Sequence, residues 1–276
     1  MLVVDSQVHL WRAVRPPLLH RQVEVFWAGE LLTEMRSAGV DAAVLVPPLF
    51  FPEGNELYRS EVLAHPDTFV IWGSLPIGQL ASSENLRIRC DRLTTIGARF
   101  VLLTPQARRH WTDGSLDWLW PAAEQAGVPL AVYPLGHIDL IAGVAERHPA
   151  LKLTIDHMCA DVFARGPTAF RDLPHLLRLA SFPNVSVKLS GAPAQSLEPY
   201  PFQDTHEPIK RILGAFGPGR CFWGSDLSRL HCSYREAVTM FTEEMSWLDP
   251  QALRLVMGEA LCGWLDWRPG PRSPRA

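Results

Sequence analysis

Two imidazoles and a carboxylate are the groups whose placement in this chain points to chemistry: His9 in VDSQVHLW, His157 in KLTIDHM and Asp226 in RCFWGSD. Each ends a short run of β-branched and apolar residues, so a fold that gathers the ends of such runs gathers all three. A carboxylate of this kind takes a proton from water while imidazoles and cations hold an oxyanion, the base alone being worth about 10²–10⁴ in rate. The same three can ligate a divalent cation, which wants three imidazole or carboxylate ligands and an open position. Gln7 stands two residues before His9, and its amide is a neutral, weakly basic ligand. No metal is therefore favoured. If one is bound, zinc or manganese on His9, His157 and Asp226 is the expected site.

Other polar groups fall at the ends of the same runs. Gln7, Arg99, Tyr133 with His137 behind it, Lys188, and Arg229 beyond Asp226 are candidates for substrate binding, together with Trp11. Arg99 suits a bidentate clamp on a carboxylate or carbonyl oxygen. Lys188 reads equally as an interior ion pair, and His137 as the polar start of a helix. The stretch TPQARRHWTDG (104–114) reads as a loop that either is simply solvated, the plainer account, or brings Arg108, Arg109 and His110 beside Arg99 as a basic rim for an anionic substrate. Trp11, Trp27 and Trp111 fall in or near loops where flat ligands stack. Cys232 beside His231 is disfavoured as a nucleophile, because sequence neighbours seldom face each other.

Eight near-continuous apolar runs position these groups, at 2–5, 41–48, 69–76, 98–104, 129–135, 152–158, 185–191 and 220–226. Runs without alternation suit strands covered on both faces, as in a parallel sheet. Between them lie helical patterns. GELLTEMRSAG stops at Gly39, HIDLIAGVAERHP stops before Pro149, and DTHEPIKRILGAFG sets Asp204 three residues before Glu207 at a capping-box spacing. Eight βα units over residues 1–267 predict an α/β fold, a single-domain (β/α)8 TIM barrel with its chemistry at the C-terminal strand ends. A doubly wound sheet is the alternative, but no glycine-rich phosphate loop follows the first strand. The stretch 13–29 reads equally as a loop over the barrel mouth, with Trp11, His20 and Phe26 near a ligand, and as a segment that only packs on the barrel rim. Residues 268–276, RPGPRSPRA, are expected to be a disordered tail.

Composition sets the outer bounds. The 276 residues are 47% hydrophobic and carry a net charge of −3, with both signs interspersed. That pattern excludes a nucleic-acid footprint. No apolar run approaches the ~18 residues of a membrane span, so a cytoplasmic protein acting on a small molecule is expected, with a homodimer allowed. Five scattered cysteines without a CxxC pair indicate neither a disulfide framework nor a structural zinc.

Taken in order, VDSQVHLW, GARF, ERHPALKLTIDHM, NVSVKLSG and FGPGRCFWGSD resemble the amidohydrolase-2 branch of the amidohydrolase superfamily, in particular its sugar-lactonase and 2-pyrone-4,6-dicarboxylate lactonase relatives. The resemblance covers nearly the whole chain. It implies that Asp226 is the general base, that His157 and His9 face the reacting carbonyl or a metal, and that Arg99 meets an anionic or carbonyl group. Gln7 departs from the branch's leading histidine. Gly136 stands where members carry a histidine after strand five, with His137 one place late. Lactonases of the branch are known to work without metal. The implied activity is hydrolysis of a lactone or ester-like ring in a small, anionic substrate. The alternatives are a metal-dependent decarboxylase of an aromatic or enol acid, and a barrel that binds a small molecule without turnover.

Overall fold

The computed structural model describes residues 1–75, 86, 90–91 and 94–270. All eight apolar runs contribute strands to one parallel sheet. They are β1 (Val4–Val8), β2 (Ala42–Leu45), β3 (Phe69–Ser74), β4 (Thr95–Val101), β5 (Leu130–Tyr133), β6 (Leu153–Ile155), β7 (Val185–Ser190) and β8 (Cys221–Gly224). Neighbours in the sheet follow chain order from β1 to β8. A doubly wound sheet would reverse its order part-way; this sheet curls round into the (β/α)8 barrel.

The seam between first and last strands is closed by specific groups. The Asp226 N–H donates to the Gln7 carbonyl at 3.1 Å. The Asp5 carboxylate accepts from the Ser225 N–H at 2.9 Å and from the hydroxyls of Ser225 and Tyr234. A Cβ on Gly224 would lie 2.4 Å from Ser6 Oγ, so the absence of a side chain lets β8 approach β1 this closely.

Alternation along the strands divides the core. Ala43, Leu45, Ile71, Leu130 and Val132 pack with the surrounding helices, whereas Val4, Val44, Val70, Trp72 and Phe222 form a second cluster with Leu261 and Leu265 beneath the barrel. The helix Ala28–Ala38 buries Leu31 and Met35 and stops at left-handed Gly39, and Asp139–Arg147 stops before Pro149, both as expected. The capping box at Asp204 does not form. The helix there is His206–Phe216, and the Asp204 carboxylate instead accepts from Ser196 Oγ and, at 2.8 Å, from the Leu197 N–H.

Two stretches differ from expectation in local form. Residues 104–114 hold the helix Pro105–Thr112, capped by Thr104, whose side chain accepts from the Ala107 N–H at 3.1 Å. Its Arg108 donates to the Leu102 carbonyl at 2.9 Å, so the basic loop is a capped helix. Within 13–29, Val25–Phe26 pairs antiparallel with Trp11–Arg12, and Pro17, Leu19 and His20 reach the barrel mouth. Of the predicted tail, Gly270 donates from its N–H to the Asp67 carbonyl at 2.9 Å, and 271–276 lie outside the described residues. Among the described residues no helix is long and apolar enough to cross a membrane.

Candidate active site

His9, His157 and Asp226 share one pocket at the C-terminal strand ends. His9 Nε2 lies 3.4 Å from Asp226 Oδ1, His157 Nδ1 lies 3.7 Å from Asp226 Oδ2, and Arg229 reaches the same Oδ2 at 3.3 Å. Local backbone turns present these groups. His157 (φ 53°) and Asp226 (φ 51°) are both left-handed, a conformation costly for residues with a Cβ. That turn ends the period-2 alternation where the strands end. Asp156 and His157, adjacent in sequence, thus both serve the barrel interior.

Below them runs a buried polar chain. Lys188 Nζ lies 3.0 Å from Asp156 Oδ1 and donates to Gln7 Oε1 at 2.9 Å, while Arg99 Nε donates to Asp156 Oδ2 at 2.6 Å. Lys188 also lies over the Trp72 ring at 4.3 Å. An ammonium only donates, so the Gln7 atom facing it is the oxygen. The Gln7 NH2 end therefore faces His9 Nε2 at 3.3 Å, and His9 Nδ1 donates to the Val46 carbonyl at 2.6 Å. His9 is the neutral tautomer with its Nε2 lone pair already accepting a hydrogen bond.

That arrangement tests the site for a divalent ion. A cation among His9, His157 and Asp226 would need the His9 lone pair that the Gln7 amide occupies, and Gln7 turns a donor, not an oxygen, toward it. Arg99, Lys188 and Arg229 set three positive charges around the same floor against the two negative ones of Asp156 and Asp226. The residues present do not fit a divalent ion, which needs free lone pairs and negative surroundings.

Burial is the largest single influence on every acidity here, and on the two carboxyls it is overruled. It lowers His9 to about 3 and His157 to about 4, against the opposing pull of Asp226. For Asp226 burial acts upward, but the neighbouring His157, Arg229 and His9 outweigh it and hold the carboxyl below its ordinary range. Asp156 is held low against burial by Lys188 and Arg99. Burial lowers Lys188, with Asp156 opposing. At neutral pH the floor thus carries an ionised Asp226 between two neutral imidazoles.

A cavity of about 220 Å³ opens above this floor. His9, His157, Asp226, Arg99, Tyr133 and Arg229 line it, as expected from their strand-end positions. Four expected contacts do not line it. Gln7 and Lys188 lie beneath, wholly buried. Trp11 is also wholly buried, packed on Phe26 and Phe50 with its indole N–H given to the Val23 carbonyl at 2.8 Å. His137 donates from its backbone N–H to Pro134 ahead of the helix Asp139–Arg147. Trp27 donates to Glu61 at 2.8 Å, and Trp111 packs on Phe100 and Trp120. The Cys232 thiol is pushed up to about 12 by burial, and His231 meets Arg165. Neither forms a nucleophile pair.

The structure adds residues the sequence reading did not assign. Asp5 ties Ser225 and Tyr234 to β1 and so fixes the base of the turn that carries Asp226; only its place in VDSQVH marks it. Ser190 Oγ lies 2.9 Å from His157 Nδ1. Tyr133, already a candidate from the sequence, packs edge-on against His157, and its hydroxyl donates to Ala160 at 2.6 Å and accepts from the Val162 N–H at 3.1 Å.

Comparison with known proteins bears on these features. An L-fucono-1,5-lactonase from Burkholderia ambifaria is 34% identical over 97 residues, which cover 34% of this chain and 33% of that protein. The match thus spans about a third of the relative's length. An amidohydrolase from Burkholderia multivorans solved with bound zinc superposes with a TM-score of 0.82 at 19% identity, over 97% of this chain and 100% of its own. A protein described as a 2-pyrone-4,6-dicarboxylic acid hydrolase from Pseudomonas putida superposes with a TM-score of 0.73 at 20% identity, over 96% and 97%. At these identities the superpositions show a shared fold. The amidohydrolase family model matches residues 4–260, from the first barrel strand to the helix beneath the barrel, and on that match the chain belongs to the amidohydrolase family.

Proposed function

We propose that the chain hydrolyses a lactone, or a related ester-like ring, of a small anion-bearing substrate, with Asp226 as general base and no metal ion in the step. The observation that carries the reading is Asp226 Oδ1, which is buried and accepts no hydrogen bond among the described residues, in a carboxylate that lines the cavity. Water held at the cavity face of the Asp226 carboxylate attacks the ring carbonyl carbon. Its proton passes to Asp226, a C–O bond forms, and the negative charge moves to the carbonyl oxygen, held by Arg99 or Arg229. The ring C–O bond then breaks, and the departing alkoxide takes the proton, leaving a hydroxy acid. An ester needs no more help than this; an amide would.

A carboxylate held below its ordinary range is a weak base, and Arg229 is one cause. A substrate anion that pairs with Arg229 draws that cation off Asp226 and raises its basicity as the complex forms. The lactonase match and the amidohydrolase family support the same reading. The decarboxylase alternative requires a cation that the Gln7 and His9 pairing disfavours. The setting we propose is the cytoplasm, with a small molecule as partner.

The test is a panel of five- and six-membered lactones followed by proton release, on protein whose metal content is measured and then stripped with a chelator. Turnover that survives stripping supports the reading. Turnover lost on stripping and restored by zinc or manganese overturns the metal-free step, and absence of any lactone turnover overturns the reaction.

A further inference from the structure

The geometry points to a substrate whose non-reacting part is an apolar arm, directed out of the barrel past Leu19, Leu49 and Phe163. This deepens the lactone reading and rests on it for the reacting end only. Among the described residues His9, His157, Asp226, Arg99 and Arg229 gather at the cavity floor, and two further polar side chains, Tyr133 and His20, reach its wall. The walls above are Phe50, Val101, Leu103 and Val162, and the mouth is ringed by Leu19, Leu49 and Phe163, which are 41%, 58% and 64% exposed. A single exposed leucine means nothing; three large apolar side chains converging on one opening above a charged floor are a binding feature.

Of these two wall groups, Tyr133 is engaged through its hydroxyl and His20 through one of its two ring nitrogens. The Tyr133 hydroxyl is taken by Ala160 and Val162, and His20 Nδ1 lies 2.8 Å from Ser228 Oγ. A polyhydroxylated ring would lose water from each hydroxyl against these walls and gain, among the described residues, at most the second ring nitrogen of His20 as a wall partner, a loss that apolar surface does not repay. An alkyl or aryl arm gains there instead. The substrate class is thus a lactone with an apolar substituent, whose ring-opened product is an apolar-tailed hydroxycarboxylate held by its anionic head at Arg99 and Arg229. A sugar lactone fits this mouth poorly.

Binding can be read without turnover. Calorimetric titration with straight-chain carboxylates from acetate to octanoate, and with gluconate, is expected to show affinity rising roughly threefold to fourfold per methylene until the chain clears the mouth. Gluconate should bind no better than acetate. Leu49→Ser and Phe163→Ser should flatten that rise, while far-ultraviolet circular dichroism verifies the fold of each variant. A series flat in chain length, or gluconate bound more tightly than hexanoate, overturns the apolar arm. A rising series on a protein that opens no lactone overturns the reaction and leaves the arm standing, so the two failures are separable.

Discussion

Lys188 Nζ donates to Gln7 Oε1 at 2.9 Å, at the bottom of the barrel's polar interior. This contact decides which end of the Gln7 amide faces His9, and so converts the position of an expected ligand into a hydrogen-bond donor. Gln7→Leu removes both contacts at once and leaves a buried ammonium one partner short, a loss of about 1.5–3 kcal/mol. Lys188→Met additionally removes one of the two cations on Asp156 and should cost about 3–5 kcal/mol. Urea unfolding of the two variants checks the order; equal or negligible losses would show that the chain is not a coupled network.

Asp226→Asn keeps the shape and removes the base. The expected loss in kcat is about 10²–10⁴-fold, with an unchanged circular dichroism spectrum. Turnover of a good substrate near the parental rate would remove Asp226 from the mechanism.

Arg99 is aimed by its Nε contact to Asp156 at 2.6 Å, which leaves the rest of the guanidinium for the cavity. Arg99→Lys cannot meet Asp156 and a substrate oxygen in the same fork geometry. A charged hydrogen bond of about 1.5–3 kcal/mol corresponds to roughly 10–100-fold in kcat/KM. Steady-state kinetics on the best lactone of the panel measures it; a change under twofold would make Arg99 structural.

Stability should fall with acid well above the carboxylate range. Unfolded histidines bind protons below about 6.5, whereas folded His9 and His157 stay neutral down to about 3 and about 4. Between these limits the unfolded chain binds more protons, so stability drops as pH falls. Asp5, pushed up to about 6 by burial against its hydrogen-bond donors, acts in the opposite sense between 3.8 and 6. Two imidazoles against one carboxyl leave about one proton net, or roughly 1.4 kcal/mol per pH unit. Asp226 and Asp156, held low, add to the loss below 3.8. Urea midpoints between pH 7.5 and 4 test the slope, and His157→Gln should reduce it; a flat profile would show that the imidazoles are not held neutral.

The barrel was legible because its strands are buried on both faces and therefore read as apolar runs whatever their neighbours. His9, His157, Arg99 and Asp226 were legible for a related reason, since a charged or imidazole group closing such a run has few places to go but the top of the barrel. Direction was the illegible part. Lys188 and Phe222 are register partners on β7 and β8; of the two readings open for the lysine the interior ion pair is the one that forms, with Asp156 at 3.0 Å, and nothing in NVSVKLSG names Asp156 and Gln7 as the partners. Trp11 looked like a ligand contact because it follows β1 closely, but pairing with Val25–Phe26 rolls its indole into the core. Left-handed residues at 157 and 226 are invisible to any reading that counts alternate positions, and they are what bring the catalytic candidates together. Asp204 had the spacing of a cap and the wrong neighbours, because tertiary contacts to Ser196 and Leu197 claimed its carboxylate first.

Ser228 joins the outer wall to the floor: its carbonyl accepts from the Arg21 N–H at 2.6 Å and its hydroxyl meets His20, two residues past Asp226. Anyone who wishes to retarget this enzyme by transplanting the segment around Pro17–His20 would therefore be rewriting a joint shared with the turn that carries the carboxylate. Entrance and reactive centre would have to be redesigned as one module, with position 228 included in the exchange.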